Sequence, residues 1–122
     1  FNELRWYLKK PLPEISAAKI RKLCLKESKK PEPEYNISEY ALNVLGYQFL
    51  QNNNLKDALL LFQVNTELYP TAANTWDSYG ECLLMMGRRQ EALQAYRKSL
   101  QLDAGNNGAA KIIKELEDES NG

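Results

Sequence analysis

The chain has 122 residues, 43% of them hydrophobic, which suits one modest domain with a buried core. Its 16 basic and 16 acidic side chains cancel, so no overall field draws it to nucleic acid or to a membrane surface, and a charged partner must meet a local patch. Histidine is absent, which removes the commonest general base and the commonest metal ligand together.

In chain order, Phe1, Leu4 and Leu8 keep a helical spacing that stops at Pro11 and Pro13, and residues 1–15 read as the tail of an upstream region. A start at Phe1, with no initiator methionine, is expected of an excised or processed part, the C-terminal portion of a longer chain. Residues 16–30 place Ala17, Ile20, Leu23 and Cys24 on one helical face behind Ser16 as N-cap. That face is expected to cap the array by lying on the first helix that follows. Lys19, Lys22, Lys26 and Lys29 form a solvated stripe opposite it, too few and too free of aromatics to serve nucleic acid. The prolines and charges of KKPEPEYN make residues 31–37 an extended linker. It divides a front part with 9 basic and 5 acidic side chains from a back part with 7 and 11, so the two attract.

Beyond the linker, Ser38 caps a helix through Leu42, Leu45, Phe49 and Leu50, and Asn52 to Asn54 make a turn whose last residue caps the next helix. That helix runs through Ala58, Leu59, Phe62 and Leu68 until Pro70 forbids continuation. Thr71 begins another pair, in which Trp76, Tyr79, Leu83 and Met86 lead to Gly87, a residue suited to the left-handed position after a helix. Ala92, Leu93, Tyr96 and Leu100 follow. Residues 107–119 complete the series as an amphipathic helix bearing Ile112, Ile113 and Leu116, with Ser120 to Gly122 fraying. Cys24 and Cys82 lie far apart with no metal-binding spacing and read as small buried apolar residues, and Met85 and Met86 read as core filling. No apolar run reaches the roughly 20 residues that span a bilayer. Neither a metal nor a cofactor is expected.

Sliding the chain by 34 residues superimposes Gly46 on Gly80, Leu50 on Leu84, Ala58 on Ala92, Leu59 on Leu93 and Leu68 on Leu102. Leu42 then meets Trp76, Leu45 meets Tyr79, Phe49 meets Leu83 and Phe62 meets Tyr96. The order of bulky residue, Leu-Gly, bulky residue, Ala, aromatic and Pro resembles the tetratricopeptide repeat family. The second unit departs from it with Ala104 in place of proline. The resemblance implies an all-α superhelix of two helix-turn-helix repeats, 38–70 and 71–104, with a capping helix at each end. Glycine and alanine at the crossings let paired helices approach, and aromatics fill the wedge between pairs. A third unit in register would put Lys114 where glycine belongs, as befits a solvating cap.

By the same resemblance, the first helix of each pair lines a concave face, here Tyr40, Asn43, Tyr47 and Gln51 from one unit and Asn74, Asp77 and Glu81 from the next. Such an aromatic, polar and mildly acidic face suits a protein or peptide partner carrying basic or hydroxyl groups. Asp77 and Glu81 share a helical face, yet a lone carboxylate pair without other candidate groups does not make a catalytic site. The family's basic clamp for chaperone tails is not matched, since Asn43, Tyr47, Ser78, Gly108 and Ile112 occupy its positions. Phrases such as LGYQFLQ, AANTWDSYGECLLMMG and EALQAYRKSLQLD are also similar to a repeat segment at the C-terminal end of some bacterial serine hydrolases, of the esterase and β-lactamase-like kinds. That likeness implies a periplasmic or extracellular setting and a contact with the parent chain's own catalytic domain, because GxSxG is missing here. Two units fall short of the roughly three that make such an array stable alone, a deficit that capping helices or self-association would fill.

Overall fold

The computed structural model describes residues 6–121, so the expectations for Phe1, Leu4 and Gly122 lie outside the described residues. Within them run the helices α1 (Ala17–Ser28), α2 (Glu39–Gln51), α3 (Leu55–Leu68), α4 (Ala73–Met85), α5 (Arg89–Leu102) and α6 (Asn107–Asn121). The fold is all-α, and β-type pairing among the described residues is confined to an isolated parallel bridge between Lys10 and Tyr35. α2 with α3 and α4 with α5 form two helix pairs, and α3–α4 and α5–α6 contacts join the pairs into one stack.

The 34-residue offset persists in backbone detail. Ser38, Ala72 and Asn106 precede α2, α4 and α6 at equal intervals, and Asn53 and Gly87, in the α2–α3 and α4–α5 turns, both take positive φ, 63° and 77°. Glycine reaches that region without strain and asparagine with little. Asn65 Nδ2 donates to Glu39 O at 3.1 Å, and its counterpart Ser99 donates to Ala73 O at 3.0 Å, so in both pairs the second helix is bonded to the start of the first. Ser16 and Ser38 cap their helices, their hydroxyls accepting from Lys19 N at 3.3 Å and Ala41 N at 3.2 Å. Asn54 sits at the N-cap of α3 without a side-chain bond, and the N-cap of α4 is Ala72, one residue past Thr71.

The small residues lie where helices cross. An added Cβ would stand 2.5 Å from the Phe62 ring at Gly46 and 2.9 Å from the Tyr96 ring at Gly80, so each aromatic of a second helix rests directly on the backbone of the first. Phe62 and Ala58 are fully buried with Cys82, and Leu83, Ala92, Leu93 and Tyr96 continue the core to Ala109, Ile113 and Leu116 of α6. Met86 is half-buried while Met85 is exposed, because Met85 shares the outward register of Gln51 and not that of the core.

α1 settles on a different neighbour from the one its apolar face suggests. Ala17, Ile20 and Cys24 are buried chiefly against Leu61 and Val64 of α3, with Leu42 contributed by α2, while Leu23 is only half-buried. The return segment directs it there. The Glu27 carboxylate is buried and accepts from Glu34 N at 2.7 Å and Tyr35 N at 3.3 Å, pairing also with Lys30. Lys10 and Asn36 add backbone bonds, and Arg21 holds Glu67 through two hydrogen bonds of 3.0 and 3.3 Å. The linker is therefore pinned, with Pro33 and Ile37 buried.

Candidate functional site

α2 and α4 lie side by side in successive pairs, so positions 34 apart become neighbours on one face. Tyr47 and Glu81 are such a pair, and the Tyr47 hydroxyl donates to Glu81 Oε2 at 2.8 Å. One turn earlier, Ser78 donates to Asn43 Oδ1 at 2.7 Å and lies 3.4 Å from the Tyr47 hydroxyl. Asp77 is held from the other side, where Asn106 Nδ2 donates to its Oδ2 at 2.8 Å and to Ser99 Oγ at 3.0 Å. The Asn106 side-chain oxygen simultaneously accepts from Ala109 N at 3.1 Å, capping α6. One amide thus joins the last helix to the site.

The electrostatic setting is negative. Asp77 Oδ1 is shielded from solvent and accepts no hydrogen bond, and among the described residues neither Asp77 nor Glu81 forms an ion pair with a lysine or arginine. Burial pushes the Tyr47 hydroxyl up to about 12, helped by the Glu81 carboxylate that accepts its hydrogen bond. Burial also raises Tyr96 strongly, with Glu81, Asp77 and Tyr47 adding to the effect. Both phenols stay protonated at any physiological pH, and that of Tyr47 acts as a donor. Tyr47 is further fixed by an edge-on contact with Phe62, ring centroids 5.0 Å apart.

Of the seven residues expected on this face, Asn43, Tyr47 and Glu81 share a bonded network that Ser78 completes, while Asp77 is bonded separately, to Asn106. Gln51 and Asn74 are exposed at its margins. Tyr40 is 78% exposed and borders hollows shared with Pro11, Leu12, Trp6 and Tyr7, towards the N-terminal end of the stack. Sequence reading overlooked Tyr96 and Asn106 as parts of the site. Tyr96 was legible only as core, and Asn106 had one usable signal, its place 68 residues after the Ser38 cap.

The cysteines offer no reactive centre. Both are buried, and burial lifts the Cys24 thiol to about 12 and the Cys82 thiol to about 11, leaving little thiolate near neutrality. No group of three or more Cys, Asp or Glu side chains among the described residues is arranged to hold a metal ion. No helix among them is long and apolar enough to cross a membrane.

Comparison with known proteins agrees with this architecture. Residues 73–106, which run from α4 through α5 to the Asn106 cap, match the family described as Tetratricopeptide repeat. The solved structure of a MamA mutant superimposes with a TM-score of 0.65 over 85% of this chain and 73% of that chain, at 18% identity, a likeness of fold. No curated protein matches. With its paired helices, its 34-residue interval and a match at 73–106, the chain has an all-α, tetratricopeptide-repeat-like superhelical fold in which residues 73–106 form one such repeat.

Proposed function

We propose that the chain is a non-catalytic interaction module whose α2–α4 face takes a peptide or a segment of a neighbouring domain through a lysine or arginine side chain. One observation carries this reading: Asp77 and Glu81 stand together beside Tyr47 and Tyr96, with no cation among the described residues paired to them. An incoming ammonium or guanidinium donates charge-assisted hydrogen bonds to such carboxylates, and the half-buried Tyr47 ring beside them adds a cation–π contribution. Asn43 supplies a polar floor, while Gln51 and Asn74 extend the face along the path of a bound chain. The network of Asn106, Ser78 and Tyr47 fixes the carboxylates beforehand, which lowers the ordering cost of binding.

The occupant belongs either to a separate protein or, in a longer hydrolase, to the catalytic domain. The second reading is supported by the serine-hydrolase-like phrases LGYQFLQ and EALQAYRKSLQLD. Calorimetric titration with a short peptide alternating Arg and Ser, against its Glu-Ser counterpart, tests the charge preference. Binding of the basic peptide alone is expected, weakened about tenfold by Asp77→Asn or Glu81→Gln. Equal binding of the two peptides, or an affinity indifferent to both substitutions, overturns the reading.

A further inference from the structure

The other face of α2 is open, and the repeat itself shows how unusual that is. Ala41, Val44, Leu45 and Gln48 correspond at the 34-residue offset to Thr75, Ser78, Tyr79 and Cys82 in α4 and to Ala109, Ile112, Ile113 and Leu116 in α6. In α4 three of the four are buried, and Cys82 Sγ reaches Leu55 O of α3 at 3.6 Å. In α6 again three of the four are buried, against α5. In α2 none is: Val44 is 37% exposed and Gln48 is exposed beneath a hollow of about 300 Å³, lined also by Pro11, Leu12 and Asn36.

Tyr40 and Asn36 border this hollow and a second one, of about 400 Å³, whose walls include Trp6 and Tyr7. An exposed aromatic ring therefore stands as a knob between two sockets, and Tyr7 and Leu8, both largely exposed, widen the apolar patch. We propose that this end face pairs with the same face of a second copy about a two-fold axis, α2 against α2, each Tyr40 seated in the other's hollow.

Three observations favour a second copy over an unrelated helix. A two-fold interface needs knob and socket on one surface, and both are present here. Like surfaces meet with little local repulsion, because Lys9 and Lys10 beside the patch are neutralised by Glu32 and Glu34 at 3.0 and 2.7 Å. The contact also covers on α2 the face that α4 packs against α3 and α6 against α5, doubling an array whose two units fall short of the usual minimum.

Sedimentation equilibrium on the whole chain, up to about 1 mM, tests the proposal at concentrations where even a weak pair is populated. A monomer–dimer equilibrium is expected, with Tyr40→Ser and Val44→Lys each weakening it at least about tenfold and circular dichroism unchanged. Should Val44→Lys lose its helicity, Tyr40→Ser decides, since that ring is exposed and its loss leaves the core intact. A monomer throughout, or a dimer indifferent to Tyr40→Ser, overturns the proposal, and binding of some other helix by a strictly monomeric chain does so as well. Asp77→Asn is expected to leave pairing unchanged, which separates this face from the peptide-binding one.

Discussion

The two helix pairs use one geometry and different chemistry. In the first, Phe62 covers Gly46, while in the second Tyr96 covers Gly80 and adds a hydroxyl that burial, with Glu81 and Asp77, keeps protonated. Asn43 and Tyr47 of α2 become Asp77 and Glu81 at the same positions of α4, so a neutral row lies beside an acidic one. The difference teaches that small residues opposite rings set the stack, and that the partner face is written in the positions free to vary around them.

The sharpest way to break the comparison is to fill both glycines. The Phe62 ring lies closer to Gly46 than the Tyr96 ring lies to Gly80, so Gly46→Leu is expected to cost about 3 kcal/mol and Gly80→Leu about 1–3 kcal/mol, read by chemical denaturation. Equal and negligible costs would mean that the crossings are not tight.

Asn106→Ala removes the cap of α6 and the donor to Asp77 in one change, with an expected loss of about 1–2 kcal/mol by denaturation. Ala72, its counterpart one repeat earlier, has no side-chain cap bond. Ala72→Ser should therefore gain a few tenths to about 1 kcal/mol, the opposite sign at the same register.

A smaller effect separates the linker from the repeats. Lys30 and the amides of Glu34 and Tyr35 hold the Glu27 carboxyl below its ordinary 4.5. Because the folded value is depressed, the stabilisation it brings is present above pH 4.5 and is lost as pH falls through the lowered value. Stability of the native chain and of Glu27→Gln should differ at neutral pH and converge on acidification, measured by denaturation at successive pH values. A gap that stays constant into acid would remove Glu27 as the anchor.

Much of the fold was legible because its determinants recur: glycine, alanine and aromatic residues at a fixed interval, serine caps at Ser16 and Ser38, and the left-handed Gly87. The seat of α1 was not, because it depends on a carboxylate reaching backbone amides seven and eight residues on, a pairing without side-chain signature. In the candidate site, Tyr47 and Glu81 were visible through their equal register, whereas Tyr96 was hidden by its double role in core and face. Tyr40 shows the limit of periodicity: the offset locates it on α2 but says nothing of the Pro11–Leu12 segment beside it.

The central proposition is that a ring resting on a glycine backbone sets the spacing of each helix pair. A double-mutant cycle joining Gly46→Ala with Phe62→Leu tests it most directly. Gly46→Ala alone is expected to destabilise by about 1–2 kcal/mol, and the shorter leucine should relieve the clash, leaving a coupling of about 1 kcal/mol between the two changes. Strictly additive costs would contradict the proposition.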